Sequence, residues 1–264
     1  MKVARFQAEG EISYGILDQA EGGGGVELVE LSGDPFVSGF DTTGRRFRFE
    51  DVRLLAPVIP RSKVVCVGKN YLDHVNEMKH ETGIGDGLPE EPLLFLKPNT
   101  AVIGPGDTIV RPSISDRVEY EGELALVIGA VAKNVPEEEA LKYVFGYTCA
   151  NDVTARDLQI KDGQWSRGKG FDTFCPLGPV IETDIDLASL RVETRINGEK
   201  RQRAHIHQLI FSLARIVAHA SEAFTLLPGD VILTGTPAGV GRLEAGDTVE
   251  VEIEGIGILR NSVA

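Results

Sequence analysis

Three glutamates at alternate positions run directly into an unbroken apolar stretch in VEYEGELALVIG, residues 118–129. On a strand, residues two apart share a face, so Glu119, Glu121 and Glu123 project the same way. LALVIG reads as a buried strand. The chain must therefore fold so that a buried strand delivers three carboxylates together. Such a group repels itself unless water solvates the face or a cation bridges it. The cation is the preferred reading, and periodicity leaves open which two of the three would be ligands.

The rest of the chain reads as mostly β. Residues 1 to about 60 contain the short strands KVARFQ, ISYGILD, VELVEL and RRFRFEDVRLL, broken by the glycine run Gly22 to Gly25 and by SGDP. They predict a small β-rich N-terminal domain over 1–58. APVIPRSK, with Pro57 and Pro60, reads as a linker, and longer buried strands from KVVCVG to DTVEVEIEG fill a second domain over 59–264. PEEEALKYVF begins with Pro136 and acidic residues and predicts a helix. Apolar residues at 206, 209, 210, 213, 216, 217 and 220 predict a longer one from Ile206 to Phe224. GPGDTIV, LPGDVIL and EAGDTVEV share a Gly-Asp turn that starts a strand.

Composition narrows the function. A net charge of -13 argues against nucleic-acid binding and against an anionic membrane surface. No segment approaches the ~18 apolar residues of a membrane span, and the N-terminus lacks an apolar signal region. Cys66, Cys149 and Cys175 are scattered, which suits buried thiols in a reducing compartment. A cytoplasmic location is expected.

Further residues could carry chemistry. Asp152 ends the buried strand of FGYTCANDVTARDLQ, where an acid serves either as a helix N-cap or as a ligand. All-oxygen ligation suits Mg2+, with Mn2+ or Ca2+ as alternatives, and disfavours zinc. His74 and Glu77, three apart in NYLDHVNEMKHE, would neighbour each other on a helix. They form a surface pair or a base with its orienting acid. TGIGDGLPEEP, which follows, reads as a mobile loop or lid. Lys169, between two glycines, is either an exposed loop lysine or an oxyanion donor. Thr236 in LTGTPAGVG belongs either to an ordinary turn or to one that binds a carboxylate. That turn is no dinucleotide fingerprint. His205 and His207 do not share a helical face, and Ser166 and Ser212 lack a nucleophile elbow.

Taken together, VGKNYLDHVNEM, FLKPNTAVIG, VEYEGELALVIG, GYTCANDVTARDLQ, KGFDTFCPLGP and LTGTPAGVG resemble the fumarylacetoacetate hydrolase family, in the same order, from about residue 60 to the C-terminus. The resemblance implies a mixed β-roll with few helices, here behind a small β-rich N-terminal domain, and a homodimer. It places the metal ligands on Glu121, Glu123 and Asp152, and leaves Glu119 as a non-ligand. Lys169 and Thr236 match substrate-binding positions and Gln159 a substrate contact. His74 and Glu77 match the lid-borne dyad of acylpyruvate-cleaving members. Fumarylacetoacetate hydrolase itself has a larger N-terminal domain and its dyad acid elsewhere, which argues against the chain being that enzyme.

The resulting expectation is a divalent-metal-dependent enzyme acting on a small 2-oxo acid through an enolate. Its first candidate reaction is C–C bond hydrolysis of an acylpyruvate. Isomerisation of 2-hydroxyhepta-2,4-diene-1,7-dioate and decarboxylation of oxaloacetate use the same enolate. The rival of another class is a non-catalytic ligand-binding protein with a structural metal.

Overall fold

The computed structural model describes residues 1–20, 25–82 and 87–264. Most of the expected glycine break, and residues 83–86 of the expected mobile loop, lie outside them. The protein is mostly β, with few helices, as the strand pattern implies. A large mixed sheet runs in the order Thr42–Arg48, Val26–Leu31, Glu11–Gln19, Lys2–Ala8, Cys175–Glu182, Val144–Asn151, Gly122–Ile128, Val231–Leu233, Val64–Gly68, Leu93–Lys97. The strands of residues 1–58 thus join those of the later segment through Lys2–Ala8 and Cys175–Glu182. A five-stranded sheet holds Glu199–His205, Arg191–Ile196, Thr248–Ile253, Gly257–Val263 and Thr108–Ile109. A three-stranded one holds Thr154–Ala155, Val118–Tyr120 and Gly241–Arg242. Among the described residues, no helix is long and apolar enough to cross a membrane.

The absence of polar alternation in LALVIG has a direct cause. Leu124, Leu126 and Ile128 enter one apolar core with Ile216, Val217 and Ala220 of the helix Leu213–Ala223. Ala125 and Val127 enter another with Val64, Cys66 and Cys175. Both faces of the strand are buried, so every position is apolar. The three cysteines are buried and free.

The two expected helices differ from expectation. Glu137–Tyr143 forms a 3-10 run in which only Ala140 is buried, so it has no apolar stripe to hold α-helical turns against the sheet. The 206–224 segment divides into a 3-10 turn, Ile206–Gln208, and the α-helix Leu213–Ala223. Ser212 caps that helix by accepting from Arg215 N at 3.1 Å. Between the pieces, Ile210 N donates to Asn70 O at 2.8 Å. Phe211 N donates to Asn70 Oδ1, also at 2.8 Å. The apolar spacing through this gap reflects contacts with another segment and not a helical face.

The Gly-Asp turns share one construction. Gly106, Gly229 and Gly246 have φ of 78°, 87° and 94°, which favours glycine. Asp107, Asp230 and Asp247 each accept from the backbone N–H three residues earlier, at 2.8, 2.9 and 2.7 Å. Asp230 is fully buried and also accepts from Ser62 N, Ser62 Oγ and Lys63 Nζ at 3.0, 2.8 and 2.7 Å. Removing it takes the counter-charge from the half-buried Lys63 ammonium and strands several donors. Asp230→Ala is expected to cost about 3 kcal/mol, and Asp247→Ala, in a half-exposed turn, about 1 kcal/mol. Urea denaturation measures both, and equal losses would refute the role given to the Lys63–Asp230 pair.

Candidate functional site

Glu121 stands at the step between two sheets. Val118–Tyr120 belongs to the three-stranded sheet and Gly122–Ile128 to the large one. The adjacent strand Val144–Asn151 pairs Gly122 with Asn151, which brings Asp152 alongside. Asp152 N donates to Glu121 O at 2.8 Å, and Glu121 N donates to Asn151 Oδ1 at 2.9 Å. Carboxylate oxygens of Glu121, Glu123 and Asp152 lie within 4.8 Å of one another, and all three residues are buried. Glu119 is turned to different partners, accepting from Arg156 Nε at 2.7 Å and from Arg117 Nε. Strand alternation fails here because the chain changes sheet at Glu121.

Neither a solvated strand face nor a helix N-cap accounts for these carboxylates. Glu119 is 1 % exposed and Glu121 4 %, so no solvated strand face exists. The helix after Asp152, Arg156–Asp162, begins behind Ala155 without a side-chain cap, so Asp152 is not an N-cap.

Buried carboxylates require partners. Lys169 Nζ donates to Glu121 Oε2 and Asp152 Oδ2, both at 2.7 Å. Arg156 Nη2 donates to Glu121 Oε1 and Nη1 to Gln159 Oε1, the latter at 2.7 Å. Burial opposes the charge of Glu121, but Lys169 and Arg156 outweigh it and hold its carboxyl well below the usual range. Burial likewise works against the Lys169 ammonium, while Asp152 and Glu121 keep it firmly protonated. Glu123 accepts from Gly235 N at 2.6 Å. Burial, with Asp152 and Glu121 nearby, pushes its carboxyl well up. Lys97 Nζ lies 2.7 Å from Asp152 Oδ1, an ion pair without hydrogen-bond geometry. It donates to the carbonyls of Val153 at 3.0 Å, Phe174 at 2.8 Å, and Lys169. Asp152 Oδ1 is thereby left buried without a hydrogen-bond donor. Three converging carboxylates, one of which burial and its neighbours disfavour as a bare anion, fit a hard divalent cation.

His74 and Glu77 lie on the helix Leu72–Thr82, with Nδ1 3.2 Å from Glu77 Oε2. Gly239 N donates to both Glu77 oxygens, at 3.0 and 3.2 Å. Burial works against the Glu77 charge, but His74 and the Gly239 N–H bring its carboxyl below the usual range. With Nδ1 facing Glu77, Nε2 is left to take a proton. His74, Glu121, Glu123, Asp152, Gln159, Lys169 and Thr236 all line one cavity, with Phe95 and Trp165 as aromatic wall. Lys169 is on the short helix Trp165–Lys169 and is 2 % exposed, so it is no surface-loop lysine. Thr236 Oγ1 donates to Gly122 O at 2.9 Å. His205 and His207 stack at 5.0 Å on the exposed side and join no cluster of three ligating side chains among the described residues.

Sequence reasoning misses Lys97, Arg156, Asn70 and Gln202. Arg156 carries a usable signal, because it lies three residues before Gln159 on one helical face. Lys97 looks like any strand-ending lysine.

Comparison with known proteins shows the family. Residues 63–264 match the family model "Fumarylacetoacetate (FAA) hydrolase C-terminal", and residues 1–57 match "Rv2993c-like, N-terminal". The chain is similar to the crystal structure of 5-carboxymethyl-2-hydroxymuconate delta-isomerase from Mycobacterium smegmatis, at 46% identity and TM-score 0.90, covering 100% of this chain and 99% of that one. It is 42% identical to the mitochondrial oxaloacetate tautomerase of Xenopus laevis, over 90% of this chain and 76% of the relative. It is also similar to fumarylpyruvate hydrolase from Pseudomonas aeruginosa, solved with Mn2+ and pyruvate, at 36% identity and TM-score 0.72, covering 80% and 91%.

Mn2+ added to metal-stripped protein is expected to raise the melting temperature. The rise should grow with pH, because burial raises the Glu123 carboxyl and a proton there competes with the cation. Glu123→Ala should abolish the rise in a thermal scan, and a shift that survives this change would place the cation elsewhere.

Proposed function

The chain belongs to the fumarylacetoacetate hydrolase family, and we propose that it is a divalent-metal-dependent enzyme acting on a small 2-oxo acid, with C–C bond hydrolysis of an acylpyruvate as its first reaction. One observation carries this reading: the carboxylate triad and His74, backed by Glu77, share a single cavity. Glu121, Glu123 and Asp152 would hold the cation, Mg2+ by expectation with Mn2+ or Ca2+ as alternatives, which supplies Lewis-acid polarisation of the substrate's carboxylate and keto oxygens.

The chain's own residues supply the remainder. Lys169 has three donors, two of which serve Glu121 and Asp152, so one remains for a substrate oxygen. Gln159 turns its carbonyl oxygen to Arg156, which leaves its NH2 end for the substrate. His74 Nε2 takes a proton from water, whose oxygen bonds to the distal carbonyl carbon. The bond from that carbon to the pyruvyl methylene then breaks, and its electron pair leaves with the pyruvyl fragment as an enolate. The proton held by His74 goes to the methylene carbon of that enolate, giving pyruvate, while the acyl carbon keeps the hydroxyl and leaves as a carboxylic acid. Glu77 stabilises the imidazolium between these transfers.

A second reading is proton transfer without water, as in a tautomerase or isomerase. The relatives bearing those names support it, at 42% and 46% identity. Decarboxylation of oxaloacetate would use the same enolate.

Purified protein assayed with Mg2+, Mn2+ or EDTA against acetylpyruvate, fumarylpyruvate, oxaloacetate and 2-hydroxyhepta-2,4-diene-1,7-dioate separates these readings. His74→Ala is expected to lower acylpyruvate hydrolysis by about 100-fold or more while sparing oxaloacetate decarboxylation. Equal loss of both would contradict the water-activating role. Activity that survives exhaustive chelation would end the metal-dependent reading.

A further inference from the structure

One short loop, residues 234–241, reaches both halves of the site. Gly235 N donates to Glu123 Oε2 at 2.6 Å, and Gly239 N donates to Glu77 Oε1 at 3.0 Å. A carboxylate of the triad and the acid of the dyad therefore hang from one run of backbone. The loop is seated on the strand Glu199–His205. Gly239 has φ +100°, and a Cβ there would come within 2.2 Å of Arg201 O, so the backbone lies directly on that strand.

Gln202, 1 % exposed, is the side chain that locks this seat. Its Oε1 accepts from Gly122 N at 3.0 Å. Its Nε2 donates to Thr236 Oγ1 and to Pro237 O, both at 2.8 Å. Thr236 Oγ1 in turn donates to Gly122 O at 2.9 Å. The N–H of Gly122, the residue between Glu121 and Glu123, is thus tied to the loop through Gln202. Its carbonyl is tied directly by Thr236, which Gln202 in turn holds. Gly122 cannot be braced by a side chain of its own, since a Cβ there would meet Thr194 Oγ1 at 2.0 Å. Gln202 itself is not among the residues lining the cavity.

We propose that Gln202 is a positioning residue that sets the carboxylate triad against the His74–Glu77 dyad. This rests on reading the cavity as the active site. A primary amide suits the task because it offers an acceptor and two donors at one planar end. Glutamate keeps the acceptor and loses the donors, and methionine keeps the volume and loses both.

The test compares Q202M and Q202E with the wild type in two measurements. One is Mn2+ affinity by electron paramagnetic resonance, and the other is hydrogen exchange at Gly235, Gly239 and the helix Leu72–Thr82. D230A serves as a control destabilised at a residue that does not line the cavity. Q202M is expected to bind Mn2+ about tenfold more weakly or worse and to exchange faster at all these amides. Q202E is expected to lose less affinity than Q202M but to exchange as fast at Gly239. D230A should melt earlier with both readouts unchanged. Wild-type affinity and exchange in Q202M would overturn the proposal, as would the same losses in D230A. If Q202M does not fold, Q202E against D230A decides by the same criteria. If the wild type binds no Mn2+, the active-site reading fails, and exchange at Gly239 alone decides the role of Gln202.

Discussion

The step from the strand Val118–Tyr120 to the strand Gly122–Ile128 places buried carboxylates where they can be tolerated only with close partners. Transferring four acids from water would be prohibitive if they were left unpaired. Lys169, Lys97 and Arg156 meet that requirement from separate elements, and each is itself buried. Arg156 bridges Glu119 and Glu121, while Lys169 bridges Glu121 and Asp152. Lys97 faces Asp152 while tying together the carbonyls of Val153, Lys169 and Phe174. The balance stops short at Glu123, which has no cationic side chain within ion-pair distance among the described residues, and this shortfall suits the cluster to a cation.

The same arrangement explains why the surrounding backbone is so constrained. Asn70 is fully buried and donates to Thr234 O at 2.8 Å, so the root of the helix bearing His74 is fixed to the loop that reaches Glu123. A Cβ on Gly235 would approach Asn70 Cβ to 2.7 Å, which leaves glycine as the residue that fits there. Tyr120 OH donates to Gly239 O at 2.9 Å, a further hold on that loop. The His74–Glu77 pair and the carboxylate triad thereby sit in one hydrogen-bonded frame, as the proposed active site would require.

Much of this was legible in the sequence where it rests on local rules. LALVIG declares a buried strand, and each Gly-Asp turn closes as its residue types imply. The motifs around Glu121, Asp152, His74 and Lys169 indicate the family, and the structure gathers those residues into one cavity. Periodicity could not separate Glu119 from its neighbours, because alternation presumes a continuous strand and the chain changes sheet at Glu121. It also read Leu209 and Ile210 as helical, although they lie between the two helical pieces and Ile210 binds the Asn70 backbone. Asn70, Lys97 and Gln202 left no local trace, since their partners at Phe211, Asp152 and Gly122 are distant in the chain.

The central claim is that Glu121, Glu123 and Asp152 together hold one divalent cation that a 2-oxo acid chelates. Crystals grown with Mn2+ and oxalate, a dicarboxylate mimic of the pyruvyl head, test it most directly through anomalous scattering. The account predicts a single Mn2+ peak among the three carboxylates, with oxalate reaching it from the side lined by His74 and Lys169. A peak bound elsewhere, or oxalate bound away from the triad, would contradict it.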